Sequence, residues 1–493
     1  MRWLALVVGV VFAGLGALAL ALVAALQPPQ LPVPDRRDHV FPDVTLLEPG
    51  RSPLAGRTLR IADGLIESVA ETENGGASTA EAKDLAGLFV TPGLVDMHVH
   101  YPPTVAVGNA ELWSLLLLAH GVTSVRETGS IDGSVFGVRE AIRDGEFPGP
   151  RIFACGAMLD GSPPSFPSNR VVRTPAEARL AVEEQAARGA DCIKAYNMLA
   201  PEALAAIRAA AADAGLPVIG HVPHSVPMEE AGLVDLQHGT GVVQVDRDRV
   251  GRMDFRLEDW VTVDDARIAH AARVSQAQGI AHTPTLVNAR MRRLLVSGAD
   301  AAIVARDSGL RHLPRFWFSV WRAIWAPPFA AGDADAVAVH DHFRARQAAM
   351  TAGLHAAGVQ LHAGTDTLMP YVAPGSSLHG ELAELAAAGL APEAVWRIAT
   401  RDAGKSLGLP GLGTLAPGAP ADLVFLRADP RGDLSALGRV EAVVADGRLY
   451  RRADFEEALA RYDAHFHGRL YDSVMGVAVS LLQGSFAPER GTP

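Results

Sequence analysis

The chain has 493 residues, two to four domain lengths and ample for a large buried core, which excludes a mini-protein scaffold. With 44 basic against 55 acidic side chains the net charge is -11, which argues against a general nucleic-acid binder. Two cysteines, Cys155 and Cys192, are too few for a disulfide framework or a thiolate zinc site, so any metal must be held by His, Asp, Glu or Lys. Buried free thiols are the default for that pair, with a disulfide open to them in an oxidising compartment.

From Leu4 to Leu26 no residue is charged, and this 23-residue run is long enough to span a bilayer. The expectation over 1–27 is an uncleaved transmembrane anchor, with a signal peptide cut after Val23-Ala24-Ala25 as the alternative. Arg2 on the near side places the body outside the cytoplasm, membrane-anchored or, if cleaved, secreted or periplasmic. The proline-rich stretch 28–39 reads as a linker.

Short apolar stretches between Gly and Pro turns occupy 40–91 and return in 411–452, which predicts a small β-sandwich domain assembled from both ends of the chain. Between them, eight apolar runs end in polar residues: Leu94–His100, Val122–Gly129, Arg151–Met158, Asp191–Asn197, Pro217–Pro223, Leu233–Gly239, Gly279–Leu286 and Val359–Asp366. Helical patterns separate most of them, and Thr174-Pro175-Ala176-Glu177 carries the signals of a helix start. Eight strands alternating with helices predict an α/β fold, a (β/α)8 TIM-like barrel over 92–410, beside the small domain and the N-terminal hydrophobic helix. The connection 287–339 is longer than a barrel needs, and its aromatic stretch Phe316–Trp325 reads either as a lid or pocket wall or as packing of extra helices. The tail, 453–493, reads as one or two helices.

Chemistry concentrates at strand ends. In Val95-Asp96-Met97-His98-Val99-His100 strand alternation points His98 and His100 the same way, into a barrel's interior. Lys194, His221, His238 and Asp366 fall near the carboxyl ends of the fourth, fifth, sixth and eighth runs, the face where barrel active sites sit. Four imidazoles and a carboxylate suit zinc, manganese, cobalt or iron. Lys194 does not belong in that company as a cation.

These motifs resemble the amidohydrolase superfamily, in its imidazolonepropionase-like and Xaa-Arg/Lys dipeptidase-like (prolidase-type) branch of metal-dependent hydrolases. The resemblance runs through Thr91–His100, Gly121–Arg126, Ile193-Lys194, Gly220–Pro223, Gln237–Thr240, Ala363–Asp366 and Gly418–Val424. It implies two divalent metal ions, zinc foremost, with His98, His100 and Asp366 on one, His221 and His238 on the other, and Lys194 bridging both as a carbamate formed with carbon dioxide. It further implies hydrolysis of an amide, peptide or cyclic amide carbon–nitrogen bond by hydroxide activated between the two metals, with Asp366 as the catalytic proton carrier. The implied partner is a small amide or short peptide, as for a dipeptidase or an N-acyl amino acid hydrolase, and relatives of this type often form homo-oligomers.

Tyr196 shares the parity of Lys194, His224 lies just beyond His221, and Arg126 sits near the end of the second strand; each is a candidate substrate contact, with support of the ligands or packing as the alternative. Competing functions are a lactonase, esterase or phosphoester hydrolase on the same site, a mononuclear deaminase, and a non-catalytic scaffold. A deaminase would carry a glutamate-bearing motif where this chain has Val222-Pro223-His224, and a scaffold would not keep all six ligands.

Overall fold

The computed structural model describes residues 16, 20–72, 84–243, 257–325 and 332–486. The chain opens with strands β1 (His39–Leu46), β2 (Leu54–Ala62), β3 (Leu65–Glu71) and β4 (Phe89–Pro92). A central series follows: β5 (Leu94–Val99), β6 (Val122–Glu127), β7 (Arg151–Ala154), β8 (Met158–Asp160), β9 (Arg170–Val171), β10 (Ile193–Ala195), β11 (Val218–Gly220), β12 (Asp235–Gln237) and β13 (Ala281–Thr283). The last strands are β14 (Leu423–Leu426), β15 (Val440–Ala445) and β16 (Arg448–Arg451).

Strands from both chain ends do combine, in one hydrogen-bonded sheet of the order β16-β15-β14-β4-β1-β2-β3. Register shifts along β1, with Asp43 in the left-handed region at φ 52°, bend the sheet. Its edge strand thereby returns to bridge Leu65 with Pro420, just ahead of β14. Period-two alternation then serves two cores. Leu423 and Phe425 pack with Phe41, Leu59 and Val444 inside the curled sheet, while Val424 and Leu426 face the central core.

The central strands pair in parallel, β5-β6-β7 in one sheet and β13-β12-β11-β10-β8-β9 in another. The third expected run is divided between β7 and β8, and the eighth forms only the bridge Leu361 to His282. That eighth segment also bonds to β5, through Met97 N to Ala363 O (2.9 Å) and Asp366 N to His98 O (2.7 Å), so it lies between β13 and β5. Helices Asn109–Ala119, Val135–Asp144, Pro175–Ala187, Pro201–Asp213 and Asp265–Gln278 lie between successive central strands. As the sequence predicts, the Thr174 hydroxyl caps its helix by accepting from Glu177 N–H at 3.2 Å.

The membrane anchor expected at the N-terminus is corrected. No helix among the described residues is long and apolar enough to cross a membrane. Of the apolar run, 1–15 and 17–19 lie outside the described residues, and the described helical stretch 20–26 covers about 10 Å against about 30 Å of hydrocarbon. The anchored placement outside the cytoplasm loses its support with it. The stretch 28–39 lies against the body: Leu31 is buried in the central core, and Pro34 O accepts from Arg448 Nη1 at 2.7 Å.

The long connection folds into helices Leu286–Val296, Asp300–Arg306 and Arg315–Trp325. Phe316, Trp317 and Trp321 of its aromatic stretch are buried, with Trp317 Nε1 donating to Asn109 Oδ1 (2.8 Å) and Trp321 Nε1 to Leu368 O (2.9 Å). Two helices, Arg452–Phe466 and Arg469–Phe486, form the tail.

Candidate metal centre

His98 and His100 emerge on one face of β5 and its extension, and their Nε2 atoms stand 3.3 Å apart. Asp366 Oδ1 lies 3.2 Å from each of them. Donors held about 2.0–2.2 Å from one ion at tetrahedral angles stand roughly 3.3–3.6 Å from one another, so the spacing of these three atoms fits a metal. His238 closes the group: a ligand atom from each of His98, His238 and Asp366 falls within 4.8 Å of the others. The His221 ring continues the line, 4.9 Å from that of His238.

The outer ring nitrogens fix which lone pairs face inward. His100 Nδ1 donates to Gly129 O (2.8 Å), a pure acceptor, and His221 Nδ1 donates to Asn197 Oδ1 (2.8 Å). Thr285 gives its hydroxyl proton to Pro284 O, so its oxygen accepts from His238 Nδ1 at 2.6 Å. In all three rings the Nδ1 hydrogen bond puts the proton on the outer nitrogen and the lone pair on Nε2, the atom a metal would take. His98 Nδ1 is buried without a hydrogen-bond partner among the described residues.

Lys194 is buried on β10, its ammonium against Gln237 Oε1. The amide nitrogen of the same Gln237 is buried and has no hydrogen-bond partner among the described residues. An acceptor built on Lys194 Nζ would suit that amide, so the residues present fit a lysine carbamate as well as a metal. Two residues earlier, Cys192 is joined to Cys155 in a disulfide, correcting the default of free thiols. The bridge ties the end of β7 to β10 immediately before Lys194.

Electrostatics follow from enclosure. Burial drives His98 well below the ordinary histidine range, and the Lys194 charge pushes the same way. Burial opposes ionisation of Asp366, yet His238 and His98, with hydrogen bonds from His100 and His98, outweigh it and hold the carboxyl well below the usual range. Backbone strain gathers here as well: His238 (φ 58°), Thr285 (φ 54°) and Asp366 (φ 65°) all lie in the left-handed region. Alternation along β12 would turn His238 away from the face of Gln237; the kink returns its ring to 4.7 Å from that of His98. Gly364 is required beside it, because a Cβ there would stand 2.7 Å from His98 Cβ.

The candidate substrate contacts divide. The Tyr196 ring stacks on His221 at 4.2 Å, and His224, half-buried, takes its place through a backbone bond to Asn197 O. Arg126 turns inward but is engaged there, with Nη2 on Asp235 Oδ2 (2.5 Å) and Nε on Met97 O (3.0 Å), which is the packing alternative. The sequence reading gave no role to Asp96, Asn197, Thr285 or Asn288. Asp96 was within reach, since it shares the inward parity of His98 and His100.

The family model described as "Amidohydrolase family" matches residues 89–450. The chain belongs to the amidohydrolase family. Among solved structures this amidohydrolase is similar to a bottromycin amidohydrolase, at 27% identity and TM-score 0.69, covering 90% of this chain and 93% of that one. It shares its fold with a prolidase solved in complex with N-methylphosphonate-L-proline, at 23% identity and TM-score 0.62, covering 84% and 99% of the two chains. An uncharacterized protein of Mycobacterium tuberculosis (strain ATCC 25618 / H37Rv) is 32% identical over 138 residues, a match spanning 27% of this chain and 21% of that relative.

Proposed function

We propose that this amidohydrolase cleaves a carbon–nitrogen bond in a dipeptide or N-acyl amino acid, at a binuclear metal site within a (β/α)8 barrel. The observation that carries the reading is the convergence of His98 Nε2, His100 Nε2 and Asp366 Oδ1 within 3.2–3.3 Å of one another. Segment 359–366, hydrogen-bonded to both β13 and β5, supports closure of the barrel on that side. In this reading His98, His100 and Asp366 hold one ion, His221 and His238 the other, and carbamylated Lys194 spans them. When bound, the metal pair supplies Lewis acidity, bringing the pKa of water toward neutrality and polarising a carbonyl.

The chain's own residues do the rest. Asp366, ionised by its surroundings, accepts a proton from the attacking water and returns it to the departing nitrogen. Asn288 Nδ2, 2.6 Å from Asp366 Oδ2, holds the carboxylate so that its other oxygen faces the histidines. Tyr196 keeps water from one face of His221. Similarity to the bottromycin amidohydrolase and to the prolidase favours an amide over an ester.

The test is metal content by elemental analysis of the full chain and of Lys194→Ala, with hydrolysis assays on dipeptides and N-acyl amino acids. About two zinc ions per chain, falling sharply in the variant, with metal-dependent amide cleavage, are expected. One ion unchanged by the substitution would remove the bridging lysine from the reading.

A further inference from the structure

Two candidate ligands from different strands, His238 after β12 and Asp366 beyond β13, are held by a single short turn. Leaving β13, the chain places Thr285 in the left-handed region and begins the helix Leu286–Val296 with no capping side chain of its own. Thr285 accepts from His238 Nδ1 at 2.6 Å, and one turn on Asn288 donates to Asp366 Oδ2 at 2.6 Å. The turn therefore decides both which nitrogen of His238 carries the proton and which oxygen of Asp366 faces the histidines.

What holds the turn comes from elsewhere. Glu381, in the helix Ser376–Ala387, is fully buried, and its Oε2 accepts from Val287 N–H at 2.7 Å. A helix start that lacks its own cap is thus capped by a distant carboxyl. Glu381 Oε1 has no hydrogen-bond partner among the described residues, so the side chain is kept in an unfavourable setting whose return is the hold on this helix start. Burial pushes its carboxyl up to about 8 against the hydrogen bonds from Val287 and Leu286, which keeps it mostly a neutral acid near neutrality.

We infer that Glu381 is a positioning residue for the metal centre, acting through Val287 N–H on the Thr285–Asn288 turn and so on His238 and Asp366. It touches neither ligand. The inference rests on the metal-site reading above and concerns affinity and coordination rather than chemistry.

Zinc affinity by chelator competition, and the visible spectrum of the cobalt-loaded full chain, test it on Glu381→Gln and Glu381→Leu. Gln keeps an acceptor for Val287 N–H, so affinity within about twofold of the unsubstituted protein and an unaltered cobalt spectrum are expected. Leu removes the acceptor; an affinity loss of about tenfold to a hundredfold and a changed cobalt spectrum are expected, the size usual for supports of metal ligands. A folded Glu381→Leu protein with unchanged affinity and spectrum overturns the inference. Should that variant not fold, Glu381→Asp, which withdraws the carboxyl by one methylene, is measured alone and in an Asn288→Ala background. If Glu381 works through the turn, its effect shrinks in that background, and full additivity overturns the inference. An unsubstituted chain that takes up no metal would fail the proposed function instead, so the two failures are distinguishable.

Discussion

Asp96 accepts hydrogen bonds from both the backbone N–H (3.0 Å) and the hydroxyl (2.7 Å) of Thr365, binding the strand that carries His98 and His100 to the segment that carries Asp366. A third bond, from His98 N–H at 3.1 Å, shapes the histidine strand itself. Asp96→Ala removes three buried hydrogen bonds at once, leaving the Thr365 donors only their longer contacts with His98 O (3.2 and 3.5 Å), and should cost about 2–4 kcal/mol of stability, with metal retention lost alongside. Urea melts with and without chelator measure both effects. A variant as stable as the parent and fully metal-loaded would show that the two segments hold together without Asp96.

Arg126 and Asp235 form a buried ion pair that His362 Nδ1 joins at 2.8 Å. Burial opposes the Asp235 charge, but Arg126 and His362 outweigh it and keep the carboxyl ionised far below its usual range. Removing the guanidinium leaves that buried charge with only His362 and the Thr283 hydroxyl, so Arg126→Met should lower stability by about 3–5 kcal/mol. The KM of the folded variant should stay within about twofold, because the guanidinium is committed beneath the site. A KM raised tenfold with stability intact would return Arg126 to the substrate.

Burial holds the His282 ring down at about 4 from an ordinary 6.5. Its contact with Ser275, at 2.8 Å, sits in the core of the central strands. Between those two values the unfolded chain binds a proton that the folded chain refuses, so stability rises with pH across that window and is lost as pH falls through it. The full difference is about 3 kcal/mol, complete only near pH 4. His282→Gln removes the titration, so urea midpoints between about pH 4.5 and 7 should vary less steeply than in the parent. Parallel slopes would place the acid sensitivity elsewhere.

Period-two alternation made β5 legible: a strand with two histidines one residue apart must present both to one side, and His98 and His100 do meet. The same rule turned Arg126 inward but could not name its partner, because Asp235 lies 109 residues away. The supports of the site were hidden for that reason too. Thr285 reaches His238 across 47 residues, Asn288 reaches Asp366 across 78, and Glu381 reaches Val287 across 94. None of them stands in a local pattern, so only tertiary contact gives them a role. The apolar run at the N-terminus misled in the opposite way, since length and hydropathy alone predicted a span, whereas no helix among the described residues is long and apolar enough to cross a membrane.

Lys194 supplies the last prediction. As an ammonium it would stand buried near His98 with its charge pushing that ring down, a setting that disfavours metal uptake. Addition of carbon dioxide to the neutral amine reverses the sign of the group and offers an acceptor to Gln237 Nε2. Metal-stripped protein should therefore reload poorly when zinc is added in buffer freed of carbon dioxide, and reload fully once bicarbonate is present. Lys194→Ala should show no such dependence, and mass spectrometry under non-denaturing conditions should find about 44 Da on the reloaded parent beyond the mass of the bound metal. Equal reloading with and without bicarbonate would mean that Lys194 serves the site as a plain amine, and the charge balance of the centre would have to be met by another group.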